Sequence, residues 1–165
     1  MWFIWASPPC TQYSRARTNA KTPRDLEGSD RIVAKTLRII DEWFPGVPYC
    51  MENPATGLLP KREVVAGRPL SVVSYCKYIS PEEDWPRYQK DTAIWHNLQW
   101  TPRPPCRRGQ RCPHFQDRNH PDHVKRWHKL AREGVQARRV FSLDELHRVP
   151  PQLINEIMFA AVGGL

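Results

Sequence analysis

The sequence predicts an α/β fold built on a sheet of short strands. Three observations carry that prediction. An apolar run at 1–6, "MWFIWA", stops at two prolines. An amphipathic stretch follows it, and three more short apolar runs come next, each bounded by turn residues. Strand, helix, strand, then strands with short connections, is the pattern of an α/β sheet.

The first run is apolar at nearly every position, which reads as a strand buried on both faces, as inside a parallel sheet. Pro8 and Pro9 end it, and a polar loop runs on through Gly28. Ser29 can cap a helix from about Asp30 to Phe44. Val33, Leu37, Ile40 and Phe44 fall on one stripe of that helix, widened by Ile32 and Trp43. The Pro45–Gly46 pair then stops it. "VPYCMENP" gives a second strand ending in a polar turn. "RPLSVVSYCKY" gives a third, from about Leu70 to Tyr75, and "DTAIWHNLQW" a fourth.

From Thr101 to Arg139 the chain is rich in Pro, Arg and His with little apolar periodicity, so it reads as an irregular insertion. "SLDELHRV" then predicts a short helix with Ser142 as cap and Glu145 completing a capping box. "PPQLINEIMFAA" predicts a last helix, where proline is permitted in the first turn. Leu153, Ile154, Ile157, Met158 and Ala161 form its packing stripe. The expected organisation is therefore an α/β part over 1–100, a basic Cys/His-rich insertion over 101–140, and helices over 141–165 that complete the α/β part.

The formal net charge is +8 and is unevenly placed. Between Thr101 and Val140 there are eleven Lys/Arg against three Asp/Glu, while the rest of the chain holds fourteen of each. Such a patch favours a polyanion, of which nucleic acid is the commonest; the other reading is a solvated face that keeps the protein soluble. Arg103, Arg107, Arg108 and Arg111 are the candidates to grip phosphate, and arginine also reads guanine edges.

Five cysteines, no secretory leader and no apolar run near the ~20 residues of a bilayer span predict free or metal-bound thiols in a reducing, intracellular compartment and no membrane partner. Cys10 follows the first strand, and Glu52 lies at the end of the second. Both would sit at the carboxyl ends of strands, where open α/β sheets place their sites. The plainer readings are an ordinary thiol in a stiff loop and an Asx-Pro turn at Asn53–Pro54. In the insertion, Cys106, Cys112, His114 and His120, with His123 close by, would suit a tetrahedral structural zinc; free thiols and surface histidines are the alternative.

Four blocks in order resemble the motifs of cytosine-5 DNA methyltransferases, in the short phage- and virus-type version. "SPPCTQYSRAR" is similar to their proline–cysteine motif and "MENP" to their Glu-Asn-Val motif. "YQKDTAIWHNL" stands where they carry a Gln-x-Arg-x-Arg strand, and "RVPPQLINEI" resembles the final loop and helix that closes on the cofactor site. The resemblance implies a partial Rossmann-like methyltransferase fold comprising the later strands of its mixed sheet, with a short basic insertion and a C-terminal helix.

It also implies a reaction. The target cytosine leaves the double-stranded DNA stack. Cys10 adds to ring carbon 6, Glu52 binds the base edge at ring nitrogen 3, Asn53 holds the turn, and Pro9 fixes the approach of the nucleophile loop. Few free thiols are ionised at neutral pH, and cations such as Arg15 and Arg17 raise that fraction. Ser14 and Gln89 would contact the nucleic acid. Asn155, in the final motif, is the candidate contact to S-adenosylmethionine.

The chain departs from that pattern in two places. Asp91 and Ala93 stand where the family has arginines, which weakens the grip on the extruded nucleotide. There is no Gly-x-Gly in the chain to cradle the donor, and the first strand would lack a neighbour on one side, a pairing liability. A second polypeptide supplying N-terminal strands is therefore expected. The competing expectation is a catalytically inactive methyltransferase-derived protein that binds nucleic acid.

Overall fold

A computed structural model describes residues 2–15, 17, 20–80, 89–107 and 147–163. Their elements are β1 (Ile4–Ala6), α1 (Leu26–Trp43), β2 (Tyr49–Pro54), β3 (Leu70–Ser74), β4 (Asp91–His96) and α2 (Pro151–Ala161). Short 3-10 turns occupy Leu59–Lys61, Glu63–Val65 and Tyr75–Tyr78. Among the described residues, one mixed sheet has the order β1-β2-β4-β3. This architecture is mixed α/β and compatible with a partial Rossmann-like methyltransferase fold.

Strands β1 and β2 are parallel, with Ile4 opposite Tyr49 and Ala6 opposite Met51. Strands β2 and β4 are antiparallel, with Met51 opposite Trp95 and Asn53 opposite Ala93. The side chain of Asn97 prolongs that pairing past the end of β4. Its carbonyl accepts from the Tyr49 N–H at 2.9 Å, and its amide donates to the Val47 carbonyl at 3.0 Å. The two-residue period of a strand puts Met51, Asn53, Ala93 and Trp95 on one face of the sheet and Cys50, Glu52 and Ile94 on the other.

Against the first face α1 lays Val33 and Leu37, which join Tyr13, Met51, Leu59, Val65, Ala93 and Trp95 in one buried cluster. Each large side chain so buried stabilises the fold by about 1.5–3 kcal/mol. Arg68 ties the far end of the helix to the sheet: its guanidinium pairs with Asp41 on α1 and donates to the Tyr49 hydroxyl at 3.3 Å.

Helix α1 begins at Leu26, four residues earlier than the sequence predicts. Asp25, not Ser29, is the cap, and its carboxylate accepts from the Gly28 N–H at 2.7 Å. Ser29 lies inside the first turn, buried, with its hydroxyl donating to the Asp25 carbonyl at 3.0 Å. An aspartate satisfies the orphan N–H groups of a first turn as well as a serine does, and the proline two residues before it directed the chain into the cap. The helix ends as expected, with Gly46 in the left-handed region at φ 76°.

The stripe is narrower than expected. Val33, Leu37 and Ile40 are buried, whereas Ile32, Phe44 and above all Trp43 (74 % exposed) are not. Strand β1 likewise differs from the expectation of burial on both faces. It is three residues long, half-buried throughout, and preceded by Trp2 at 79 % exposure. It is an edge strand of the described sheet, so one side of it has no neighbour to bury it.

The last helix forms where predicted, over Pro151–Ala161, and the Pro150 carbonyl accepts from the N–H groups of Leu153 and Ile154. Leu153 and Ile157 are fully buried, while Met158 is exposed. Most of the expected helix at Ser142–Val149, up to residue 146, and nearly all of the insertion lie outside the described residues.

The chain divides into two compact units. The first holds Met1–Val73, Asp91–Pro102 and Ile157–Leu165; the second holds Ser74–Lys90 and Arg103–Glu156. In the second, the Arg103 N–H donates to the Tyr78 hydroxyl at 2.8 Å, and its guanidinium lies 4.8 Å from the centre of the Tyr78 ring. Cys76 and Cys106 pack together in a small buried cluster.

Candidate active site

Strand pairing sets side by side the segments that carry the candidates Cys10, Glu52 and Asn53. Because β1 and β2 run parallel with Ala6 opposite Met51, the chain leaves β1 at the same sheet edge where Glu52 and Asn53 follow Met51. The segment carrying Cys10 therefore starts beside the carboxyl end of β2. Glu52, on the opposite face from Met51, is 9 % exposed, and Asn53 is buried.

A direct bond joins the two segments. The side-chain amide of Asn53 donates to the backbone carbonyl of Pro8 at 2.9 Å, and the bond is buried. Pro8 is buried and Pro9 exposed. Pro9 is the proline to which the resemblance gives the approach of the Cys10 loop, and it is Pro8 whose carbonyl meets β2. The reason is geometric: the residue nearer the strand end is the one the neighbouring strand can reach. Asn53 Oδ1 and Thr92 Oγ1 are buried and have no partner among the described residues.

Cys10 itself is half-buried, with a free thiol. Its carbonyl accepts from the Tyr13 N–H at 3.0 Å, which closes a tight turn over Cys10–Tyr13. The Tyr13 carbonyl accepts from the Leu58 N–H at 3.0 Å, in the loop after β2. Gly57 makes this approach feasible, since a Cβ there would lie 3.4 Å from the Tyr13 carbonyl oxygen and 3.1 Å from that of Pro54.

The Tyr13 ring is fully buried and its hydroxyl donates to Asp30 at 2.8 Å. Arg62 holds the other carboxylate oxygen of Asp30, with Nε at 2.9 Å. Burial, seconded by the bond to Asp30, pushes the Tyr13 hydroxyl well above its ordinary value. Burial would also raise Asp30, but the hydrogen bonds from Arg62 and Tyr13 outweigh it and hold the carboxyl below its usual range. Farther along the loop, Arg24 donates to the Gln12 carbonyl, and the Gln12 side chain accepts from the Asp25 N–H at 3.1 Å. The loop carrying Cys10 is thus pinned to β2, to the loop after β2 and to the start of α1.

Sequence reasoning missed Tyr13, Asp30, Arg62 and Pro8. The tyrosine had a signal, as a large apolar ring in a polar loop three residues after Cys10. The Asp30–Arg62 pair spans 32 residues of chain and had none.

The other candidates divide. Arg15 is exposed, and Arg17 spends its guanidinium on the Thr22 hydroxyl at 2.7 Å and the Pro23 carbonyl at 3.3 Å. Ser14 is half-buried, and its carbonyl faces the Arg17 N–H at 3.4 Å. In the second unit, Gln89 donates to the Cys106 carbonyl at 3.0 Å and Arg107 is exposed. The Arg103 guanidinium is engaged by Glu156 at 2.6 Å and by the Lys77 carbonyl at 2.6 Å. Arg108 and Arg111 lie outside the described residues.

Zinc gains no support. Cys112, His114 and His120 are outside the described residues, and Cys106 is buried against Cys76 with its N–H donating to the Ser74 hydroxyl at 2.8 Å. Among the described residues no group of three or more His, Cys, Asp or Glu gathers as metal ligands. Nor is any described helix long and apolar enough to cross a membrane. Asn155, the candidate contact to the donor, is exposed on α2. Ala93 is part of the buried cluster, on the strand where the motif would carry arginine.

The chain is similar to a curated viral protein, the "Probable DNA (cytosine-5)-methyltransferase" of Frog virus 3 (isolate Goorha). The two are 29 % identical over 165 residues, an alignment that takes in 94 % of this chain and 73 % of the viral protein. No protein-family model matches the chain. No solved structure matches it either.

Proposed function

We propose, taking the chain as a relative of the cytosine-5 DNA methyltransferases, that it acts in the methylation of cytosine carbon 5 in double-stranded DNA and carries the covalent half of that reaction. With the target cytosine extruded from the duplex, the Cys10 thiolate adds to ring carbon 6 and the ring's double-bond electrons move towards carbon 5 and nitrogen 3. Glu52 lies against nitrogen 3 and gives it a proton as the charge builds there, leaving the carboxylate. Asn53 fixes the height of the nucleophile loop through Pro8. The observation that carries this reading is the buried Asn53–Pro8 bond, which ties the cysteine segment to the strand bearing Glu52.

The family's methyl donor is S-adenosylmethionine. The described residues do not assemble a site for it: Asn155 is exposed, and the sequence has no Gly-x-Gly. The role assigned to this chain is therefore the adduct. A second polypeptide adding strands beside β1, an open edge of the described sheet, would bring the donor site.

The test is release of tritium from carbon 5 of cytosine in duplex DNA, without donor. Wild-type chain should release label, and Cys10→Ser should not. A folded wild-type chain that releases none sinks the reading. Ala93, buried where an arginine would hold the nucleotide, favours a second reading, a non-catalytic nucleic-acid-binding protein. That reading requires DNA binding with no release of label.

A further inference from the structure

The nucleophile loop is fixed on two sides of Cys10. Two residues before it, the Pro8 carbonyl is held by Asn53. Three residues after it stands Tyr13, and this residue is fixed at every polar atom it has. Its N–H donates to the Cys10 carbonyl, its carbonyl accepts from Leu58, and its hydroxyl donates to Asp30. Asp30 cannot swing away from Tyr13 freely, because Arg62 holds the second carboxylate oxygen. The ring between these anchors is packed among Val33, Leu37, Met51 and Leu59.

Resting on the proposed reaction, we propose that Tyr13, held by Asp30 and Arg62, is a positioning residue for Cys10. The network sets where the thiol stands relative to an extruded base and touches neither base nor thiol itself. Three different parts of the fold meet in it: the cysteine turn, the first turns of α1 and the 3-10 turns after β2. A loop anchored on one side only would pivot about Pro8. The second anchor removes that pivot, so the sulfur occupies one place before the base arrives, the preorganisation that covalent attack requires.

The experiment uses the full chain as wild type, Tyr13→Phe and Asp30→Ala. Tyr13→Phe keeps the buried ring and removes the hydroxyl. Tritium release from cytosine carbon 5 is measured against DNA concentration. In parallel, iodoacetamide labelling of each cysteine is followed by peptide mass spectrometry. In both variants the rate at saturating DNA should fall by about ten- to a hundredfold, with the DNA concentration at half-maximal rate unchanged within about twofold. Labelling of Cys10 should quicken by roughly fivefold or more while the buried Cys50 and Cys76 stay as protected as in wild type.

Wild-type release rates in both variants would overturn the proposal. So would labelling of Cys50 and Cys76 in step with Cys10, which means general loosening. Should the wild-type chain release no tritium, the reaction is refuted and the labelling decides the positioning role. Selective exposure of Cys10 then upholds it, and unchanged labelling removes it.

Discussion

The side chain of Asn53 and the backbone of Pro8 are joined at 2.9 Å across 45 residues of chain, in a buried position. An amide is suited to this place. A carbonyl leaving a strand needs a donor, and the neighbouring strand has spent its backbone N–H groups in the ladder. Replacing Asn53 by Ala leaves the Pro8 carbonyl buried and unpaired, at a cost of about 1–3 kcal/mol. Urea unfolding should show that loss, and tritium release should fall with it. A variant as stable as wild type would mean that the bond has no structural weight.

Thr92 presents the reverse case, a buried hydroxyl without a partner among the described residues. Thr92→Val keeps the shape and removes the unmet polar atom. The expected outcome is equal or higher stability, by up to about 1 kcal/mol, in urea unfolding. A clear loss of stability would mean that the hydroxyl is satisfied in solution.

The thiols should react in an order set by burial. Burial pushes the Cys50 thiol up to about 12, so almost none of it is thiolate at neutral pH. Cys10 is half-buried and should be alkylated in the native chain, whereas Cys50 should react only after unfolding. Native labelling of Cys50 at the rate of Cys10 would contradict the packing of β2.

Two groups make stability depend on pH. His96 is buried, which lowers its proton affinity; its Nδ1 accepts from the Leu98 N–H at 3.2 Å, so Nε2–H faces the Ser71 hydroxyl at 2.9 Å. A depressed folded-state value means that the unfolded chain takes the proton first. Stability from His96 is therefore present above its unfolded value, about 6.5, and is lost as pH falls through the lower folded one. Asp30 has the same sign at lower pH: its contribution is present above about 3.9 and lost below that. Urea unfolding from pH 7.5 to 5 should show the first loss, and His96→Gln should flatten it. A wild-type chain equally stable at both pH values would refute the buried neutral imidazole.

Met51 and Val33 test the core beneath the site. Both are fully buried in the cluster that joins α1 to the sheet. Met51→Ala should cost about 2–5 kcal/mol, with a smaller loss at Val33→Ala, read from urea midpoints at constant slope. For the nucleic acid, affinity for duplex DNA should fall steeply with salt, since the net charge of +8 is concentrated in one stretch. A flat response would remove the basic stretch from the interface.

What the sequence determined by itself was periodic or local. Apolar runs bounded by turn residues placed β2 and β3 to within two residues and gave the start of β4, whose run was read four residues past its end at His96. Proline at a first turn and an apolar stripe placed α2; Cys10 and Glu52 were singled out at the ends of apolar runs, and Asn53 came with the resemblance. The errors were also local. An aspartate cap four residues upstream was passed over for a serine, and six apolar residues were taken as a strand buried on both faces where the sheet has an edge. Only the tertiary structure decided which proline anchors the loop, that Arg103 is occupied by Glu156, and that Tyr13, Asp30 and Arg62 form one network behind Cys10. The physical reason is the same each time. Backbone periodicity writes itself into neighbouring residues, whereas a hydrogen bond between positions tens of residues apart leaves no local pattern and exists only once the sheet has brought its ends together.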